Sequence, residues 1–331
     1  MSEKSTITMD DIARLAKVSK PTVARALVKQ DTRDHILSVA REHGYSVNRN
    51  AQKLRHKRTN TIAVSLDFLS HRQNHISDPF IFDLLAGVSE ALGDLNQDLL
   101  LFAPTHNNLH AFQEVLSSKG ADGFIIVGQG HREQMLDDLA EAGAPMVVWG
   151  AVQETTPYCV VGSDNERGGY LAGQRFLAGK RQRFLFVGDT SHCELNLRRK
   201  GLLQALEDSG ADYEINDVVL SNFSYENAFD AANKYLDGAT VPPDAVFAYS
   251  DTAAMAFICA LRNRKLSIPN DVSVIGYNDI PSAAYFSPPI TTVRQDTYQA
   301  GKLLVSKLME ILEGGKPASA TISTKLVLRG T

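Results

Sequence analysis

TMDDIARLAKVSKPTVARAL, residues 8–27, decides how the rest of the chain is read. The Thr8 hydroxyl can accept from the free N–H groups that open a helix, and Asp11 supplies the carboxylate of a capping box. Ile12, Leu15 and Ala16 fall at i, i+3 and i+4 and give one narrow apolar face. Val18 closes that helix in a short turn. Ser19 is a second N-cap, and Pro21 sits in the first turn, where its missing N–H costs little. Val23, Ala26 and Leu27 form the buried side of the second helix, with Lys20, Thr22 and Arg25 on the exposed side. Two short helices across a tight turn, the second basic and led by small polar residues, fit a helix-turn-helix. A plain helical hairpin fits the same residues.

Working outward, 331 residues with 44% apolar content suit two or three compact units with real cores. No run of about 18 apolar residues occurs, so no membrane span is expected. The N-terminal MSEKSTITMDD has acids and no apolar segment, which predicts no secretory signal. Cys159, Cys193 and Cys259 are odd in number and widely spaced, the usage of a cytoplasmic protein with reduced thiols. Charge is split along the chain. Residues 1–58 hold 13 basic and 6 acidic residues, and the remainder 21 and 32. A basic head suited to phosphate precedes an acidic body, although a solvated basic surface has the same composition.

A third helix is predicted from Asp31 to Gly44, with Ile36, Val39 and Ala40 inward and Gly44 as a left-handed cap. NRNAQKLRHKR, residues 48–58, surrounds Ala51 and Leu54 with cations; it reads as a helix formed on a partner or as a charged tether. From Thr61 short apolar runs alternate with amphipathic segments. Strands are expected at 62–66, 99–102, 124–127 and 146–149, then at 184–188, 217–220, 245–249 and 272–276. Helices are expected between them. Strand 291–295, a helix over 299–313 and strand 324–329 are expected to cross back between the halves. The fold class is therefore α/β: a helical head and two successive lobes, each a parallel sheet flanked by helices.

The 8–27 stretch, the basic segment after it and the order of the later motifs resemble the lactose-repressor/galactose-repressor (LacI/GalR) family. The resemblance runs from residue 7 to the C-terminus. It implies a helix-turn-helix domain over 1–47, a hinge helix over 48–60, and an effector-binding and dimerisation domain over 61–331. Lobe one would take 61–160 and 292–320, and lobe two 161–291 and 321–331. It implies a transcriptional regulator, a repressor of carbohydrate-utilisation genes, held on a pseudo-palindromic operator as a homodimer or higher oligomer and controlled by a sugar-like effector. A purine-responsive repressor and a binding receptor with no DNA-directed role are the alternatives. The DNA-contacting set is Thr8, Ser19, Lys20, Pro21, Thr22, Arg25, Asn48, Ala51, Leu54 and Arg55. Leu54 matches a wedge that enters the minor groove. The segment from Leu27 to Thr32-Arg33 is shorter than the family pattern, and Gln52 stands where members usually carry Arg.

The effector set implied is Phe80, Asp164, Arg198, Phe223, Asp251 and Asn278, at strand ends where α/β sheets bind ligands. Each has a plainer reading: Phe80 and Phe223 as core, Asp164 and Asp251 as helix caps, Arg198 as a surface ion pair. Asn278 replaces the family's usual Asp, and Ser250 a frequent Asn; with Arg198 retained, that loss of a carboxylate suggests an anionic effector. No catalytic residue, cofactor or metal is expected. Gly128-Gln129-Gly130 lacks the third glycine of a dinucleotide loop, and no P-loop or HExxH occurs. His71/His75 and His106/His110 read as surface histidines.

The wedge reading gives a test. Leu54→Ala is expected to weaken specific operator binding and reduce DNA bending while the effector domain stays folded. Circular-permutation gel shifts check this, and an unchanged bend angle would make residues 48–58 a tether.

Overall fold

Thr8 caps the first helix as its position predicts. In the computed structural model, which describes residues 7–24, 30–43, 58–66, 79–102, 109–130, 132–220 and 222–331, the chain forms two compact units, Met1–Thr59 and Asn60–Thr331.

The first unit holds α1 (Met9–Leu15), α2 (Lys20–Ala24) and α3 (Gln30–Glu42). The Thr8 N–H donates to Asp11 Oδ2 at 3.0 Å, and the Asp11 N–H donates back to Thr8 Oγ1 at 3.4 Å. Ile12 of α1 and its C-cap Ala16 meet Ile36 and Ala40 of α3, with Ile7, Val18, Val23 and Val39 packed around them. Leu15 was expected inward but is 41% exposed. The seam follows the i, i+4 pairs of both helices, and Leu15 lies to one side of it. Gly44, the expected end of the third helix, and Arg25, Ala26 and Leu27 lie outside the described residues.

The second unit contains two six-stranded sheets of matching topology. The first comprises β1 (Thr61–Leu66), β2 (Asp98–Phe102), β3 (Gly123–Val127), β4 (Met146–Trp149), β5 (Cys159–Ser163) and β11 (Ala320–Ile322). The second comprises β6 (Arg183–Val187), β7 (Glu214–Val218), β8 (Ala245–Ala248), β9 (Ser273–Asn278), β10 (Thr291–Gln295) and β12 (Thr324–Val327). Their orders are β2-β1-β3-β4-β5-β11 and β7-β6-β8-β9-β10-β12. All neighbours are parallel except β10 and β12. Each sheet thus reverses its direction of growth after its second strand, which puts the switch point between β1 and β3 and between β6 and β8, beside which such sheets bind ligands.

Both faces of each sheet are covered, which is why the strands read as unbroken apolar runs. Ile62, Val64 and Leu66 of β1 pack under α4 (Pro79–Asp94) and α12 (Thr297–Leu312). Ala63 of β1, with Phe124 and Ile126 of β3, packs under α5 (Leu109–Ser117) and α6 (Glu133–Glu141). The second sheet is covered by α7 (Asn165–Ala178), α8 (Cys193–Ser209), α9 (Tyr225–Gly238) and α10 (Asp251–Asn263). A short α11 (Pro281–Tyr285) follows β9.

Several elements differ from the sequence reading. The strand expected at 217–220 occupies Glu214–Val218, because its pairing with β6 runs Arg183↔Glu214 to Val187↔Val218. The terminal strand expected over 324–329 ends at Val327. β5, β11 and α11 are short and carry little periodicity. The chain passes between lobes three times, after Ser163, after Gln295 and after Ile322. β10 therefore belongs to the second sheet, although 292–320 was assigned to lobe one, and residues 161–163 end a strand of the first.

Glycines bring α7 and α8 into backbone contact. A Cβ on Gly169 would lie 1.8 Å from the Arg198 carbonyl oxygen, and one on Gly201 1.8 Å from that of Glu166. Gly201→Ala is expected to cost about 2–3 kcal/mol, the upper range for forcing atoms into a packed interior. Urea unfolding checks this, and an unchanged midpoint would mean that the helices separate freely.

Candidate functional site

Two places combine exposed or cavity-facing polar groups: the start of α2 in the first unit, and a cavity at the facing carboxyl ends of the two sheets in the second.

Ser19 caps α2, its Oγ 3.3 Å from the Thr22 N–H and 2.7 Å from Thr22 Oγ1. Ser19, Lys20 and Pro21 are exposed and Thr22 is half-buried, so the helix begins with small polar groups at the surface. Lys20 Nζ reaches Asp10 Oδ2 at 2.7 Å, with both side chains more than half exposed. Such an exposed pair is worth about 0–1 kcal/mol. Thr8 serves as the α1 cap, and its hydroxyl and backbone N–H hold the Asp11 carboxyl below its ordinary range. Arg25, Asn48, Ala51, Leu54 and Arg55 lie outside the described residues.

The cavity, about 160 Å³, opens where β1 and β3 of the first sheet face β8, β9 and β10 of the second. Leu66, Val127 and Trp149 reach it from strand ends of lobe one, and Phe80 from the start of α4. Arg198, Phe223, Tyr249 and Asn278 reach it from lobe two. Four of the six expected residues therefore line one cavity: Phe80, Arg198, Phe223 and Asn278.

Arg198 is 8% exposed and fixed on three sides. Its Nε donates to Asn165 Oδ1 at 2.8 Å and its Nη1 to the Tyr249 carbonyl at 2.6 Å. Its guanidinium carbon lies 3.5 Å from the centroid of the Tyr277 ring. The arrangement follows from the glycine contact between α7 and α8, which sets Arg198 beside the first residue of α7. Burial pushes the Tyr277 phenol up, against the pull of the neighbouring cation, so the ring stays neutral beneath the guanidinium. Arg198 is buried and lines the cavity, which makes it a cavity residue rather than a surface one.

Phe223 sits 5.0 Å from the Tyr249 ring and 5.1 Å from that of His192, forming an aromatic wall. Asn278 Oδ1 accepts from Gln295 Nε2 at 2.7 Å. Glu194 and His192, at the start of α8, line the same space.

Asp164 and Asp251 do not line it. Asp164 is the N-cap of α7, accepting from the Arg167 N–H at 2.9 Å. Asp251 is fully buried as the first residue of α10, with Ser250 as the cap, and accepts from the Ile280 N–H at 2.8 Å. In both cases the need to satisfy backbone N–H groups takes the carboxylate.

The sequence reading missed Asn165, Gln295, Tyr277, Trp149, His192 and Glu194. Asn165 and Gln295 sit at lobe crossings, a signal available only once the crossings are located. The Gly128-Gln129-Gly130 stretch also contributes. Gly128 and Gly130 have φ of 85° and 52°, and both line the cavity. Buried Gln129 accepts from the Ala151 N–H at 2.9 Å, and Arg132 folds back on the Val127 and Gly128 carbonyls. Among the described residues no group of His, Cys, Asp and Glu could hold a metal ion, and no helix is long and apolar enough to cross a membrane.

Residues 8–48 match the family model described as bacterial regulatory proteins, lacI family, and residues 174–331 match a periplasmic binding protein-like domain. The HTH-type transcriptional repressor PurR of Photobacterium profundum is 29% identical, over 92% of this chain and 91% of that protein. The HTH-type transcriptional regulator DegA of Bacillus subtilis is 30% identical, over 89% of this chain and 88% of that one. Among solved structures, a complex of the transcriptional regulator CelR with cellobiose superposes with a TM-score of 0.71 at 27% identity, covering 98% of this chain and 99% of that chain.

Asp251→Ala is expected to lower the melting temperature, because it leaves the buried Ile280 N–H without its acceptor at about 1–3 kcal/mol. A variant that melts like wild type but fails to respond to effector would return Asp251 to the binding set.

Proposed function

The chain belongs to the LacI family of bacterial regulatory proteins, and from that premise we propose how its two units divide the work. It is a DNA-binding transcriptional regulator that acts as a dimer on operator DNA under the control of a small-molecule effector. The first unit reads DNA with the exposed start of α2, where Ser19, Lys20, Pro21 and Thr22 meet the major groove. Arg25 and the hinge residues Asn48, Ala51, Leu54 and Arg55 complete the interface. The second unit receives the effector in the cavity between its lobes.

The observation that carries this reading is the cavity itself. It lies at the switch points of both sheets and is lined by residues of both lobes, with Arg198 held in place before any ligand arrives. Aromatic walls from Phe80, Trp149, Phe223 and Tyr249, with a few fixed polar groups, suit a ring-shaped solute. A carbohydrate is one such class, as the cellobiose in the CelR complex illustrates for a similar protein. The repressed genes would then serve the use of that solute. A flat nitrogen heterocycle is the second reading, favoured by the neutral pair Asn278–Gln295. An anionic effector is less favoured, because Glu194 lines the cavity beside Arg198 and no surplus of positive charge remains.

Arg198→Ala tests the assignment. It is expected to cost about 2–4 kcal/mol of effector affinity where the ligand group is desolvated, while operator binding persists and no longer responds. Gel shifts titrated with effector, run beside a melting curve, check this, because the change also strips partners from Asn165 and the Tyr249 carbonyl. A variant that responds at the wild-type effector concentration would remove Arg198 from the site.

A further inference from the structure

The second sheet carries another cavity, of about 260 Å³. Ser273 opens β9 and lines it, whereas Asn278 closes β9 and lines the effector cavity, so the two lie at opposite ends of the sheet. Arg175, in the last turn of α7, and Arg181, just before β6, line it with Asn270 and Ser273. Phe176 and Ile275 add apolar wall. Among the described residues no Asp or Glu lines it.

Arg181 is held in place by neutral groups. Its Nε donates to Ser273 Oγ at 3.1 Å, and its Nη1 to the Asn270 carbonyl at 3.1 Å and the Asp271 carbonyl at 3.4 Å. Its Nη2 donates to the Pro269 carbonyl. A guanidinium has five N–H donors and never loses its charge in a protein. One Nη2 N–H therefore remains, on a cation that no carboxylate among the described residues pairs. The Asp271 carboxylate, on the same loop, accepts from the Ser267 N–H at 2.7 Å. Asp244, whose carbonyl accepts from the Ser273 N–H, gives its carboxylate to Arg183 and the Gln182 N–H.

Tying the loop before β9 is role enough for Arg181 alone. Arg175 has no such role. Its side chain makes no hydrogen bond or ion pair among the described residues, and a cation in a last turn suits the helix dipole in any orientation. Its place on the wall of the same cavity as Arg181 is what distinguishes it.

We infer that this cavity is a second ligand site, and that it takes a phosphate group. The inference is independent of the effector cavity.

The chemistry follows from what the lining groups have left to give. The carbonyls that close α7 are spent on the N–H groups of Gly179, Lys180 and Arg181. Those of Pro269, Asn270 and Asp271 are spent on Arg181. Thr331 gives its hydroxyl to the Val274 carbonyl, accepts there from the Thr291 N–H, and takes the Thr291 hydroxyl on its carbonyl. Donors remain: the fork of Arg175, the last N–H of Arg181, the Ser273 hydroxyl proton, and the second N–H of Asn270, whose first goes to Ser267 Oγ at 3.3 Å. Even with a carboxylate at Thr331, cations outnumber anions. Guanidinium forks match the oxygens of phosphate, and a dianion answers two of them better than a single carboxylate does. The volume is many times the roughly 10–15 Å³ that one water needs, so an ester carrying the phosphate also has room.

The test is calorimetric titration of the full-length protein with inorganic phosphate and with glycerol 3-phosphate, against sodium chloride at equal ionic strength. Wild type, Arg175→Gln, Arg198→Ala and Lys20→Gln are compared, each beside a melting curve. Wild type is expected to give saturable binding of at least one phosphate probe that chloride does not reproduce. Tighter binding of the ester assigns the site to a phosphorylated metabolite, and tighter binding of the free ion to phosphate itself. Arg175→Gln is expected to melt like wild type and to lose roughly tenfold or more in affinity, while Arg198→Ala and Lys20→Gln bind as wild type does. Absence of saturable binding overturns the inference, as does an Arg175→Gln variant that binds like wild type. Binding lost in Arg198→Ala but kept in Arg175→Gln would put the anion in the effector cavity. Binding lost in Lys20→Gln but kept in Arg175→Gln would put it on the DNA-reading unit, and either result overturns the second site.

Discussion

The buried guanidinium of Arg198 is the interaction on which the effector unit's geometry turns. It joins α8, which carries it, to α7 through Asn165, to the end of β8 through the Tyr249 carbonyl, and to β9 through the Tyr277 ring. A buried cation is tolerated only with such partners, since desolvation alone would expel it. The partners in turn require α7 and α8 to touch, and Gly169 and Gly201 permit that approach. Two glycines without side chains thus determine where the most polar group of the cavity stands. An amide, a carbonyl and an aromatic face are thereby brought within its reach.

The lobe crossings give the cavity its second property. Asn165 and Gln295 each line it and each sit beside a point where the chain passes between sheets. The third crossing is tied to the first, with the Asp164 N–H donating to the Ile322 carbonyl at 2.9 Å and Thr324 Oγ1 to the Asp164 carbonyl at 3.1 Å. A ligand that contacts Phe80 and Trp149 on one lobe and Arg198 and Phe223 on the other spans the gap between them. Such a ligand binds one relative placement of the lobes better than another, and that difference in affinity is all that a ligand can use to shift a conformational equilibrium. At the start of β1, Asn60 is fastened to the segments that carry both neighbouring strands: its N–H to Asp122 Oδ2 at 2.8 Å, and its carbonyl to the Asp98 N–H at 2.7 Å. The point where the chain enters the first sheet is therefore part of that lobe's rigid body.

Much of the fold was legible because its signals are local. The capping box at Thr8 and Asp11, Pro21 in a first turn, and apolar runs such as Phe184-Leu185-Phe186-Val187 depend on neighbours within a few residues. Pairing register and lobe membership do not. β7 reads from its residues as Asp217–Leu220, yet forms three residues earlier, because β6 fixes where hydrogen bonds are available. β11 and β12, three and four residues long, are strands only because distant edges, those of β5 and β10, accept them. Leu15 shows the same limit in the helical unit. Periodicity assigns it to the apolar face, but the partner helix covers only the Ile12 and Ala16 line.

The candidate site divides along a similar boundary. Phe80, Arg198, Phe223 and Asn278 were legible because they match, at strand or helix ends, the order of motifs in the resembled family. Asp164 and Asp251 occupy equally suggestive positions, but each stands where a helix begins or a loop returns, and unmet N–H groups there claim the carboxylate first. Three of the residues that the sequence reading missed, Asn165, Gln295 and Tyr277, are polar and uncharged. Such side chains are common in ordinary cores, and nothing in their sequence neighbourhood separates cavity from core. What separates them is tertiary: Tyr277 supports a cation from below, Asn165 orients it, and Gln295 holds the amide of Asn278 at the cavity wall.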